Sequence, residues 1–197
     1  ILYRNKCLKT KINLSCSFLG KTIAPIFYNA AGVHCTTYKE LLDLEYSSSG
    51  IILSKSCTLE SRIGNEQPRY YIDDDISINS TGLANLGIKE YSKFVFNKPY
   101  IISLAAINID DFIESLSYIN SHNVFAIEVN ISCPNIDNFT ENALINFEKY
   151  LMIMQEKSPV PWGLKMSIFK IDDIIKYVNI IKKYNVSFID CANSLSN

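Results

Sequence analysis

The sequence has no Cys-x-x-Cys pair, and its two histidines, His34 and His122, stand far apart, so the spacing of a zinc site is missing. The six cysteines (Cys7, Cys16, Cys35, Cys57, Cys133 and Cys191) are scattered along 197 residues, which argues against a disulfide framework. A surplus of one charge is lacking as well: 19 basic side chains stand against 20 acidic ones, whereas nucleic-acid binders carry a basic excess. No apolar run approaches the roughly 20 residues needed to cross a bilayer, and no signal-peptide core is visible. Neither GxGxxG nor a Walker lysine occurs, which excludes the common phosphate-loop fingerprints. The expectation is a soluble, cytoplasmic protein of a reducing compartment, with no metal, no nucleic-acid partner and no membrane partner.

What is present is an ordinary globular composition, 48% hydrophobic and 20% charged, read as a single domain over 1–197. Short β-branched runs alternate with longer segments of helical period. The spacing predicts strands at 24–29, 51–55, 100–104, 125–131, 162–166 and 187–192, and helices at 37–46, 88–97, 109–121, 140–156 and 172–184. Asn108 followed by Asp110 and Asp111 marks one helix start by its cap and acidic first turn. Near-continuous apolar strands suit a parallel sheet covered by helices.

Repeated βα units give an open doubly wound sheet or a closed (β/α)8 barrel. Polar residues end many predicted strands here: Asn29, Lys55, Asn130, Lys165 and Asn193. An open sheet gathers its ligand at one switch point, while a barrel draws on several strand ends, so the α/β reading is a (β/α)8 TIM barrel. Six strands do not close eight, and about two further βα units are expected, making this an incomplete barrel domain. A small hairpin is predicted at 11–21, outside the repeat, and 57–87 is read as a long functional loop.

The most specific stretch is Asn130-Ile131-Ser132-Cys133-Pro134-Asn135 at the end of the fourth predicted strand. Asn130 and Asn135 supply amides able to donate and accept, and Pro134 turns the chain so that both converge on a planar polar ligand. Cys133 beside them can act as a general base through its thiolate; for the other cysteines inert packing is the simpler reading. In the stretch from Asn79 to Gly87, two glycines permit close backbone approach to a ligand, although an ordinary Gly/Asn turn accounts for the same residues. Lys55 and Lys165 each close an apolar strand. They either snorkel to water or form a cationic pole suited to a carboxylate or an anionic reduced flavin.

Six motifs occur together: NAAGVHC at 29–35, KSCTLESRIGNEQPRY at 55–70, NSTGLANLG at 79–87, NISCPN at 130–135, GLKM at 163–166 and ANSLSN at 192–197. In order and approximate spacing the set resembles the dihydroorotate dehydrogenases, most of all the soluble class with a cysteine base and fumarate as electron acceptor. The resemblance spans about residues 11–197. It implies an FMN-dependent barrel that oxidises (S)-dihydroorotate to orotate in de novo pyrimidine biosynthesis, as a homodimer. It places Cys133 as the base that takes a proton from C5 while a hydride leaves C6 for the flavin. It places Lys55, Asn79, Gly82, Leu83, Asn130, Asn135, Asn193 and Ser194 on the substrate, and Ala31, Lys55, Ser56, Asn130, Lys165 and Ala192 on FMN.

Ala31 stands where the family often has Ser, Ala84 where Pro is common and Ser196 where Gly is common. The family's glycine-rich phosphate loops are expected on the last two strands of the barrel, beyond the motifs present. Cys133 speaks against the membrane-bound class, which generally has Ser at that position. Two alternatives stay open: the catalytic subunit of an NAD-linked class with a separate iron–sulfur partner, and a non-catalytic remnant of the barrel.

Overall fold

The computed structural model describes residues 13–131, 141–166 and 171–191. Its centre is a parallel sheet of five strands, β3 (Ile52–Leu53), β6 (Tyr100–Ala105), β7 (Ala126–Asn130), β8 (Trp162–Met166) and β9 (Phe188–Cys191). These lie side by side in chain order, with no reversal among the described residues. A doubly wound sheet reverses at its switch point; unidirectional winding is how a barrel wall is built. The sheet is accordingly a curled half-barrel. The helices α1 (Tyr38–Tyr46), α2 (Ile88–Tyr91), α3 (Ile109–Leu116), α4 (Glu141–Lys157) and α5 (Ile171–Ile181) fall between or before these strands.

Because strand side chains alternate in direction, each strand divides its apolar residues between two cores. Ile52, Ile102, Ile127, Val129 and Leu164 belong to an outer core with Leu41, Phe112, Leu116, Phe147 and Tyr177 from the helices. Leu53, Ile101 and Ala126 belong to a smaller inner core. The predicted hairpin fills the bottom of that interior. It consists of β1 (Cys16–Phe18) and β2 (Lys21–Ile23), joined by Leu19 and Gly20, both in the left-handed region that suits a two-residue hairpin turn. Phe18 packs against Phe125 and Phe188 at ring-centroid distances of 6.2 and 5.4 Å. Gly163 is inseparable from this packing, since a Cβ there would lie 2.5 Å from the Phe188 ring.

The caps were legible. Asn108 accepts from the N–H groups of Asp110 and Asp111, and Thr37 with Glu40 forms a reciprocal capping box on α1. Three departures from the predicted elements have local causes. Segment 24–29 makes no ladder: Pro25 has no N–H, and the Asn29 amide bonds both the N–H (3.0 Å) and the C=O (2.7 Å) of Leu53, standing in for a strand. Asn29 is thereby committed to the sheet edge. Helix α2 stops at Tyr91, because Phe94 and Phe96 turn back to stack on Tyr38 and Tyr100. The segment 57–87 carries a hairpin of its own, β4 (Tyr70–Ile72) with β5 (Ser77–Asn79), turned by the Asp73 carboxylate accepting from Asp75 and Ile76 N–H groups.

Candidate active site

The C-terminal ends of the parallel strands open into a cavity of about 410 Å³. Lys55 and Ser56 reach it just beyond β3, Asn130 at the last position of β7, and Lys165 near the end of β8. Ala31 enters from the loop before α1, and Asn79, Gly82 and Leu83 from the end of β5 and the turn after it. All eight described residues assigned to substrate or FMN by resemblance therefore line one space. Cys133, Asn135, Ala192, Asn193 and Ser194 lie outside the described residues. A second cavity, of about 450 Å³, lies at the opposite end of the strands among Pro99, Phe125, Pro161 and their neighbours. It holds none of the assigned residues, and the lower face of a barrel is where stability rather than chemistry resides.

Electrostatically the cavity is a cationic pole. Lys55 and Lys165 are buried (8% and 6% exposed), and among the described residues no salt bridge joins either to a carboxylate. Burial pushes the Lys55 ammonium below its ordinary range; nearby Cys35 opposes this, while the charges of Lys165 and Arg69 add to it. Two like charges held out of water in an amide-lined space are what a carboxylate or an electron-rich planar ring would relieve. Snorkelling does not describe them, because neither is exposed.

The loop around Gly82 is held in a conformation that brings backbone close to the cavity. Gly82 has φ +62°, and a Cβ there would stand 2.3 Å from Asn65 Oδ1. Leu83 follows with φ +57°, uncommon for a side chain of its size and typical of a constrained site. Asn85, 3% exposed, holds this turn: its Nδ2 donates to Leu83 O (2.9 Å), and its Oδ1 accepts from Gly87 N–H (2.8 Å). Asn65 donates to Ser80 O, and Arg69 to the carbonyls of Ile63 and Asn65. Arg62, Asn65 and Thr81 line the cavity too, beyond the residues assigned by resemblance. The signal for them was their place within the 55–70 and 79–87 motifs.

The model of the dihydroorotate dehydrogenase family matches residues 13–197. The chain belongs to the dihydroorotate dehydrogenase family. It is 33% identical over 200 residues to the fumarate-type dihydroorotate dehydrogenase of Trypanosoma brucei brucei and 34% identical over 200 residues to that of Kluyveromyces lactis. These alignments cover 94% and 95% of this chain, and 64% and 63% of the relatives. The chain thus spans somewhat under two thirds of the length of the curated relatives it matches. In structure it is similar to the dihydroorotate dehydrogenase of Eimeria tenella crystallised with ferulenol, with TM-score 0.67 and 13% identity over 92% of this chain and 60% of the other. That likeness concerns the barrel fold alone. Among the described residues no helix is long and apolar enough to cross a membrane, and no group of three or more His, Cys, Asp or Glu is placed to hold a metal ion.

Sequence reasoning passed over Glu128, which lies below the cavity on β7 and is 1% exposed. Burial first, then a hydrogen bond to Asp190, push its carboxyl up to about 8, against the pull of Ser103 and Lys165. The sign of the consequence follows from proton counting. An unfolded glutamate releases its proton near 4.5, so between there and about 8 the folded state holds more proton than the unfolded one. The stability due to the protonated carboxyl is complete below about 4.5 and lost as pH rises through about 8. Thermal unfolding should therefore show a midpoint that declines over this interval, and Glu128→Gln should flatten the decline; parallel wild-type and variant curves would refute the protonated state.

Proposed function

We propose that this chain carries the substrate and flavin face of an enzyme that oxidises (S)-dihydroorotate to orotate in de novo pyrimidine (UMP) biosynthesis, with FMN as its flavin and fumarate as electron acceptor. One observation supports this above the others: eight residues from five separated segments line a single cavity whose two lysines are buried with no salt bridge to a carboxylate among the described residues.

The donor set fits both ligands. Ala31, Ser56, Asn130 and Lys165, with Ala192, would hold FMN, and Lys55 belongs to both sets as the cation between them. Asn79, Asn130 and the backbone at Gly82 and Leu83, with Asn135, Asn193 and Ser194, would bind the amide edges of the pyrimidine ring. Lys55 would meet its carboxylate. FMN, when bound, supplies the acceptor for the hydride that leaves C6. Cys133 as thiolate takes the proton from C5, so that the C5–C6 double bond forms as both hydrogens depart. Lys165 contributes a fixed positive charge in a water-poor wall, where it acts more strongly than in bulk water. A homodimer and a cytoplasmic location belong to the same reading.

The test is to load the purified protein with FMN, add dihydroorotate without oxygen, and follow flavin absorbance. Bleaching by dihydroorotate and recovery on adding fumarate are expected. Bound FMN that dihydroorotate never bleaches would overturn the activity, and recovery with NAD but not fumarate would overturn the acceptor.

A further inference from the structure

Strand β7 reads Ala-Ile-Glu-Val-Asn, and a carboxyl in the middle of such a strand is costly unless its oxygens are satisfied. Glu128 is satisfied by a chain of hydrogen bonds that leads to the cavity. Ser103 Oγ donates to Glu128 Oε1 at 2.6 Å, the Ser103 and Ser56 hydroxyls are 2.8 Å apart, and Asn130 Nδ2 donates to Ser56 Oγ at 2.9 Å. Ser56 and Ser103 are buried, so water does not compete along the chain.

Each hydroxyl has a single proton. Ser103 spends its proton on Glu128, which obliges Ser56 to give its own to Ser103 and leaves the Ser56 oxygen to receive the Asn130 N–H. The chain therefore has one direction, from the cavity wall to Glu128. Reversing the Asn130 amide would set its oxygen against the Ser56 oxygen, with no proton between them.

We infer that Glu128 is a positioning residue whose carboxyl, acting through Ser103 and Ser56, fixes which end of the Asn130 amide is turned toward the cavity. The inference rests on the reading of that cavity as the flavin and pyrimidine site, and adds a specificity device to it: an amide held in one orientation discriminates donor from acceptor edges of a planar ring. The groups facing Glu128 from neighbouring elements agree with this role. Lys165 comes from β8, Asp190 from β9 and Tyr28 from segment 24–29. A protonated carboxyl gives its O–H to Asp190 and keeps a bare oxygen for Ser103. Glutamine offers the same pair, an N–H and a carbonyl, whereas leucine offers neither.

The experiment titrates wild type, Glu128→Gln, Glu128→Leu, Asn130→Ala and the Glu128→Leu/Asn130→Ala double variant with FMN, followed by flavin fluorescence, and then with orotate, followed by the flavin spectrum. Glu128→Gln should bind orotate within about twofold of wild type, and Glu128→Leu about tenfold more weakly. In the Asn130→Ala background Glu128→Leu should add almost nothing, because the amide it positions is gone. Unchanged orotate affinity in Glu128→Leu, or losses that simply add in the double variant, would overturn the inference. If Glu128→Leu does not fold, Ser103→Ala cuts the same chain and carries the same expectations. Wild-type protein that binds neither FMN nor orotate would instead overturn the reading of the cavity itself.

Discussion

Cys133→Ala is expected to slow dihydroorotate oxidation by about 10²- to 10⁴-fold while leaving FMN affinity unchanged. Alanine has nothing to accept the C5 proton, yet Lys55, Ser56, Asn130 and Lys165 all remain to line the cavity. An ordinary thiol ionises near 8.5, so the wild-type rate should rise with pH toward that region as the thiolate forms. Cys133→Ser should show no such rise at accessible pH, because an alcohol hardly ionises in water. Anaerobic flavin bleaching measured across pH distinguishes the cases. Normal rates at every pH in Cys133→Ala would remove this residue from the role of base.

Lys55→Ala should weaken orotate binding by about 10²-fold or more, since it removes the cation assigned to the carboxylate and a buried charge-assisted contact is among the strongest available. The informative part is what happens to the fold. Lys55 is an ammonium at 8% exposure, its protonation disfavoured by burial and by Lys165 and Arg69. Removing it should leave stability unchanged or raise it by about 1 kcal/mol, as when a strained functional group is replaced. Orotate titration and urea unfolding on the same variant measure the two effects. Loss of stability together with intact orotate affinity would make Lys55 a structural residue instead.

The motifs at 55–70, 79–87, 130–135 and 163–166 were readable because each holds polar residues at or just beyond the end of a strand. Periodicity put β8 at its observed bounds and the other parallel strands within a few residues of theirs. Segment 24–29 misled because its β-branched and aromatic residues look like a strand, while Pro25 and the Asn29 side chain make a ladder unnecessary. The β4–β5 hairpin was missed because its turn depends on one carboxylate, Asp73, inside a run of three aspartates that reads as plain loop. Asn85 and Arg69 stood in view within quoted motifs, but holding a loop from behind leaves no mark in local composition.

Local chemistry is what the amino-acid order determined unaided: strand and helix alternation from hydrophobic period, helix starts from Thr37 and Asn108, and polar groups at strand ends. Those features depend on neighbours a few positions away, and short-range sterics and hydrogen bonding settle them. Bringing Ala31, Lys55, Gly82, Asn130 and Lys165 around one cavity depends on strand order and register between segments far apart in the chain. The same holds for the line from Asn130 to Glu128, whose serines are 47 positions apart and meet only when β6 lies beside β3. Folding decided both, because a parallel pairing shifted by one residue would turn Ser103 and Glu128 into the apolar outer core, and the cost of burying them there selects this register.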